Sequence, residues 1–231
     1  MSVEACFYKI FNKDLQDLLR AGETCFFGEF LGKGSYTGAI RLNEETLSFI
    51  KEDIASFKEP VLIISTEVEK PTILESVTGF SNFFLTKEEK YKDNNIIQYL
   101  KELETEFKVN IFITERFTDF YINNRLVEIC EQFLEQEIPP ICQISNFLDL
   151  DEEKWAVSKE YEDKIFKTFY SKENREEALK IWQIIVRDLK KMAKALLDKF
   201  GDLEVLIDLH DEQFGIVKGE TVLIDGFIIQ N

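Results

Sequence analysis

Residues 206–227 read L-I-D-L-H-D-E-Q-F-G-I-V-K-G-E-T-V-L-I-D-G-F. The stretch holds the single histidine of the chain, His210, between Asp208 and Asp211. A short apolar hairpin follows and ends at another acid, Asp225. Two carboxylates at the two ends of a tight hairpin can converge on one point. Metal-assisted phosphoryl transfer needs that arrangement: one acid orients a nucleophile and the other holds Mg²⁺.

Upstream of the hairpin, residues 174–200 have helical periodicity. Ala178, Ile181, Ile184, Ile185, Leu189, Met192, Ala195 and Leu196 form one apolar stripe, and Gly201 is a stop signal. Further helices are expected over 12–21, 86–107, 123–136 and 152–170, with Pro139-Pro140 closing the third of these. Residues 23–31, 60–66 and 109–114 read as strands. A Gly-rich turn, L-G-K-G-S-Y-T-G-A-I-R-L, spans 31–42 between two strand patterns. The segment after it has two readings. Alternation over 46–51 gives a returning strand with Leu47, Phe49 and Lys51 on one face. Helical spacing of Leu47, Ile50, Ile54 and Phe57 gives a helix over 44–57 instead. No internal repeat or low-complexity linker interrupts this order. A β-rich first half and a mostly helical second half imply two lobes, 1–117 and 118–231, meeting near residues 114–121.

Composition sets the outer bounds. A chain of 231 residues with 45% apolar content and 21 phenylalanines can bury a core. No apolar run reaches the length of a membrane span, and the first ten residues lack the basic and apolar regions of a secretion signal. Cys6, Cys25, Cys130 and Cys142 are scattered and, with one histidine, offer no zinc set. Reduced, mostly buried cysteines in a cytoplasmic protein are the expectation. A net charge of −16 argues against direct nucleic-acid binding, because phosphates need a basic footprint. The acids alternate with lysines as on solvated helix faces, which keeps a chain soluble.

Together these features resemble the protein-kinase-like superfamily. The D-L-H form is most similar to the aminoglycoside-phosphotransferase branch and to small kinase-like proteins of phages. That branch carries D-L-H-x-x-N, then an apolar hairpin ending in an acid of I-D form. Asp208-Leu209-His210 matches the first element. Ile224-Asp225-Gly226-Phe227 matches the second and echoes the D-F-G element of kinases. The resemblance implies an α+β, two-lobed kinase-like fold with a small β-rich N-lobe and a mostly helical C-lobe. It implies an ATP-Mg²⁺ phosphotransferase acting on a protein or small-molecule hydroxyl; no membrane partner is expected, since no apolar run reaches the length of a span. Asp208 would orient the acceptor hydroxyl, and Asp225 would ligate Mg²⁺. The metal-binding asparagine of the family falls on Gln213, whose amide oxygen sits on a longer arm. Gly32, Lys33, Gly34 and Ser35 resemble the start of the phosphate-covering loop, with Thr37 where the third glycine belongs. Lys51 is the candidate phosphate anchor. If 60–66 is the equivalent strand, that position is Ile64 or Ser65 and a catalytically impaired kinase follows. Glu115 lies in the segment that resembles the hinge, whose backbone would meet an adenine, and Glu102 and Glu104 are candidates for the glutamate that partners the lysine.

Other chemistries fit less well. No G-x-S-x-G surrounds a serine, and the 28–34 segment is one residue too short for a Walker loop. A metal nuclease on Asp208, Asp211 and Asp225 conflicts with the acidic balance. The competing class is a binding protein: a pseudokinase, or an acidic inhibitor of a partner protein.

Overall fold

The computed structural model describes residues 24–25, 27–33, 37–120, 122–151 and 172–230, which form an α+β arrangement. The expected helices over 12–21 and 152–170 lie outside these residues. The chain separates into two compact units, one of residues 1–71 and 80–116, the other of 72–79 and 117–231.

The first unit is built on an antiparallel sheet of β1 (Thr24–Cys25), β2 (Gly28–Lys33), β3 (Thr37–Leu42), β4 (Pro60–Ser65) and β5 (Asn110–Glu115), in that order. The β2–β3 hairpin is the Gly-rich segment read from the sequence, with an irregular register between Phe30 and Gly32. From Val61 and Ile111 onward, β4 and β5 are buried at every residue, so both faces of these central strands are covered. That explains their unbroken apolar runs. One face packs Leu62, Ile64, Ile111 and Ile113 with Ile40 and with Ile97, Leu100 and Leu103 of a helix. On the other, Phe112 meets Phe84 at 5.8 Å between ring centres.

For the segment after β3, the helix wins. α1 (Glu44–Ile50) starts because the Asn43 side-chain Oδ1 accepts the Thr46 N–H at 2.8 Å, and Glu44 and Glu45 sit favourably in the first turn. The strand expected over 46–51 therefore does not form. A second helix, α2 (Lys70–Thr78), carries no strong periodic signal and was not foreseen. The helix expected over 86–107 is shorter than its pattern. Two 3₁₀ turns, Leu85–Lys87 and Glu89–Tyr91, precede α3 (Asn95–Phe107). Asn94 is the cause: its side chain accepts the N–H groups of Ile96 and Ile97 at 2.9 and 3.2 Å, which fixes the helix start there. At the other end Lys108 adopts φ 53° and its N–H closes on Glu104.

The second unit holds β6 (Thr118–Asp119), α4 (Asn124–Glu137), β7 (Ile141–Gln143), a 3₁₀ turn Ile144–Asp149, and the long α5 (Lys172–Phe200). The chain then forms β8 (Glu204–Ile207), β9 (Phe214–Val217), β10 (Glu220–Leu223) and β11 (Phe227–Ile229). Two small antiparallel sheets result, ordered β10-β9-β6 and β11-β8-β7. The β9–β10 turn is Lys218-Gly219, both at positive φ (52° and 87°), the geometry that lets a two-residue turn follow strand twist. On α5 the buried face is wider than the predicted stripe. It adds Trp182, Val186 and Ala193, and it includes Asp188 at 0% exposure, while Ile184 and Ala195 are only half-buried.

Candidate functional site

The site is two turns held side by side: residues 208–213 between β8 and β9, and 224–226 between β10 and β11. Backbone bonds lock them together, Asp208 N–H to the Gly226 oxygen (3.1 Å) and Ile224 N–H to the Gln213 oxygen (2.8 Å). The β11–β8 ladder, with Phe227 opposite Ile207, continues the lock. The antiparallel return brings the D-L-H and I-D-G elements together on this end of the second unit. Gly226 allows the close approach to α5. A Cβ there would lie 2.7 Å from the Leu189 methyl and 3.2 Å from that of Leu223. Phe227 is buried edge-on against Phe147, with ring centres 4.7 Å apart.

Gln213 is buried and both ends of its amide are engaged. Its Oε1 accepts the His210 N–H at 3.0 Å and its Nε2 reaches Asp208 Oδ2 at 3.4 Å. The orientation is forced, because an N–H can only donate and a carboxylate can only accept. Its amide oxygen, the atom expected to hold metal, thus spends one of its two lone pairs on the turn. Asp225, half-buried, accepts the Gly226 N–H at 3.0 Å. Among the described residues no three His, Cys, Asp or Glu side chains converge as a metal-holding group.

The other expected residues belong to the first unit. Lys51 follows α1 as its C-cap and is exposed. It is not on a strand, and Phe49, expected beside it, is 46% exposed. Gly32 and Lys33 lie in β2, paired with Ala39 and Gly38. Gly34 and Ser35 lie outside the described residues. Glu115 is buried at the end of β5, where its two carboxylate oxygens accept the N–H groups of Lys58 (2.7 Å) and Glu59 (2.8 Å). Its side chain thus fixes the entry to β4. Glu104 is similarly occupied, by the Ile111 N–H at 2.9 Å, and Glu102 is exposed.

Two acids that sequence reading passed over shape the site. Asp188 receives Arg187 Nε (2.8 Å) and Nη2 (2.7 Å), Lys191 Nζ (3.2 Å) and the Leu223 N–H (3.0 Å). Arg187 also donates to the Thr221 oxygen at 2.9 Å. This network ties β10, and so the approach to Asp225, to α5. The signal was present: an aspartate at helical spacing between Ile185 and Met192, on the apolar face. The second is Glu131 of α4, whose Oε1 accepts the Leu209 N–H at 3.4 Å. Burial chiefly, with the charges of Glu135, Asp208 and Glu128, raises its pKa above the ordinary carboxylate value, against the Leu209 bond that lowers it.

No family model, no curated protein and no solved structure matches this chain. No helix among the described residues is long and apolar enough to cross a membrane.

Proposed function

We propose that this chain is a divergent kinase-like protein that acts by binding a partner and has lost lysine-anchored phosphoryl transfer. One observation carries the reading. β4, the strand that follows the Gly-rich hairpin, is Pro-Val-Leu-Ile-Ile-Ser and holds no lysine. A kinase places its phosphate-anchoring lysine on the strand in that position. Ser65, at the end of β4, is buried and spends its hydroxyl on Thr37 (3.1 Å) and the Glu67 N–H (3.1 Å). Lys51 is an exposed helix-end residue.

Kinase-like descent is supported by the order Gly-rich hairpin, strand, hinge-like segment, long helix and acidic hairpin. The locked pairing of the Asp208 and Asp225 turns supports it too. The residues present do not fit Mg²⁺-ATP held in the family manner, since the lysine anchor is missing from β4. No phosphoryl-transfer step is assigned to them. A formal charge of −16 suits a partner with a basic face, since complementary charge speeds encounter and selects the partner.

Calorimetric titration of the full chain with ATP, with and without Mg²⁺, tests this reading. Mg²⁺ leaves ATP affinity unchanged within about twofold, far short of the tenfold that 1.4 kcal/mol of metal bridging gives. Tightening of tenfold or more that disappears in Asp225→Ala would return the chain to the phosphotransferase class.

A further inference from the structure

We propose that Glu131 is the positioning residue of the Asp208–His210 turn, acting from α4 through the Leu209 N–H, and that its charge couples the turn to pH. The turn has few other holds on its N-terminal side. Asp208 is fixed by its backbone bond to Gly226 and His210 by Gln213, while Leu209 N–H, between them, has Glu131 as its acceptor. Leu209 itself is buried, so this N–H cannot turn to water without moving the segment.

Glu131 faces charge of its own sign. Glu128 and Glu135 approach it from α4 and Asp208 from the turn, with His210 and Asp211 following on that turn. The ionised carboxylate is the stronger acceptor for Leu209 but is repelled by Asp208. The neutral acid relieves the repulsion and weakens the bond. Its carboxyl pKa is raised in the folded state, so its stabilising contribution is fully present below the ordinary carboxylate range. That contribution is lost as pH rises through the raised value. The environment of the turn must change over the same window.

The single histidine makes the turn observable. The test uses the full chain with ¹⁵N-leucine and ring-labelled histidine, followed by NMR between pH 4 and 8, and needs no nucleotide. It therefore stands or falls separately from the kinase-like reading. In wild type the Leu209 amide shows an inflection above the ordinary carboxylate range. E131Q keeps an acceptor oxygen without the charge, so its Leu209 amide holds, across the range, the position that wild type shows at the acid end, and the inflection is lost. E131A displaces the Leu209 and His210 signals and speeds Leu209 amide exchange by about tenfold, the effect of losing one hydrogen bond. An inflection that survives in E131Q overturns the proposal, whether or not E131A folds. So does an E131A protein with wild-type Leu209 and His210 signals.

Discussion

Asp188→Ala lowers the stability of the second unit by about 2–4 kcal/mol, because the buried carboxylate anchors a charged network whose cationic partners stay partly hydrated. The carboxylate is fully buried and receives four donors, from Arg187, Lys191 and the Leu223 backbone. Alanine leaves the Leu223 N–H unpaired beneath a residue that is itself 0% exposed. It also strands Arg187 beside the Thr221 carbonyl. The unpaired Leu223 N–H carries a desolvation cost that water cannot repay inside the core, whereas Arg187, a third exposed, keeps part of its hydration. With total stabilities of roughly 5–15 kcal/mol for single domains, such a loss leaves this unit near its unfolding threshold. Asp188→Asn keeps an acceptor for Leu223 and loses the charge, so it costs less, about 1–3 kcal/mol. Urea denaturation followed by circular dichroism measures both. Equal, small effects would show that the network contributes packing only.

Gly28→Ala costs about 4 kcal/mol, at the upper end of what single substitutions do. Gly28 has φ +153°, and an added Cβ would stand 1.8 Å from the Arg41 carbonyl oxygen and 2.9 Å from the Asn43 nitrogen. The obstructing atoms are backbone, so no side chain can swing away. The β2–β3 pairing of Gly28 with Leu42 has to open, and with it the Asn43 N–H bond to Phe27 that precedes α1. Gly32→Ala is the control. Nothing lies within 4 Å of its Cβ position, and its cost stays within about 0.5 kcal/mol. Thermal melting of the two variants separates them. The contrast also bears on the phosphate-loop resemblance, because the fold demands glycine at 28 and not at 32.

The sequence was most legible where one local rule acted without competition. The apolar runs of β4 and β5, the Asn123-capped α4 and the Gly201-terminated α5 follow directly from periodicity and end signals. It was least legible where side chains compete with periodicity. Asn43 turned an alternating segment into α1, and Asn94 cut the expected long helix down to α3. The chain neighbours that carry Asp208 and Asp225 could be paired from the hairpin pattern. The work of Gln213, Glu131 and Glu115 could not, because each side chain bonds to a backbone group: three residues away for Gln213, 78 for Glu131 and 56 or 57 for Glu115. Only the fold sets those pairings. Lys51 shows the same limit from the other side. One lysine in a plausible place on a strand became a solvated helix end once the backbone chose its other period.

In the reading proposed above, the Asp208 and Asp225 turns stay paired without the lysine that would make them transfer phosphate. That reading is tested most directly by incubating the full chain with γ-labelled ATP and Mg²⁺, alone and with a basic protein acceptor, beside Asp208→Asn. Labelling at background is expected in both proteins, with Asp208→Asn folded. Transfer by the wild-type chain that Asp208→Asn abolishes would contradict it.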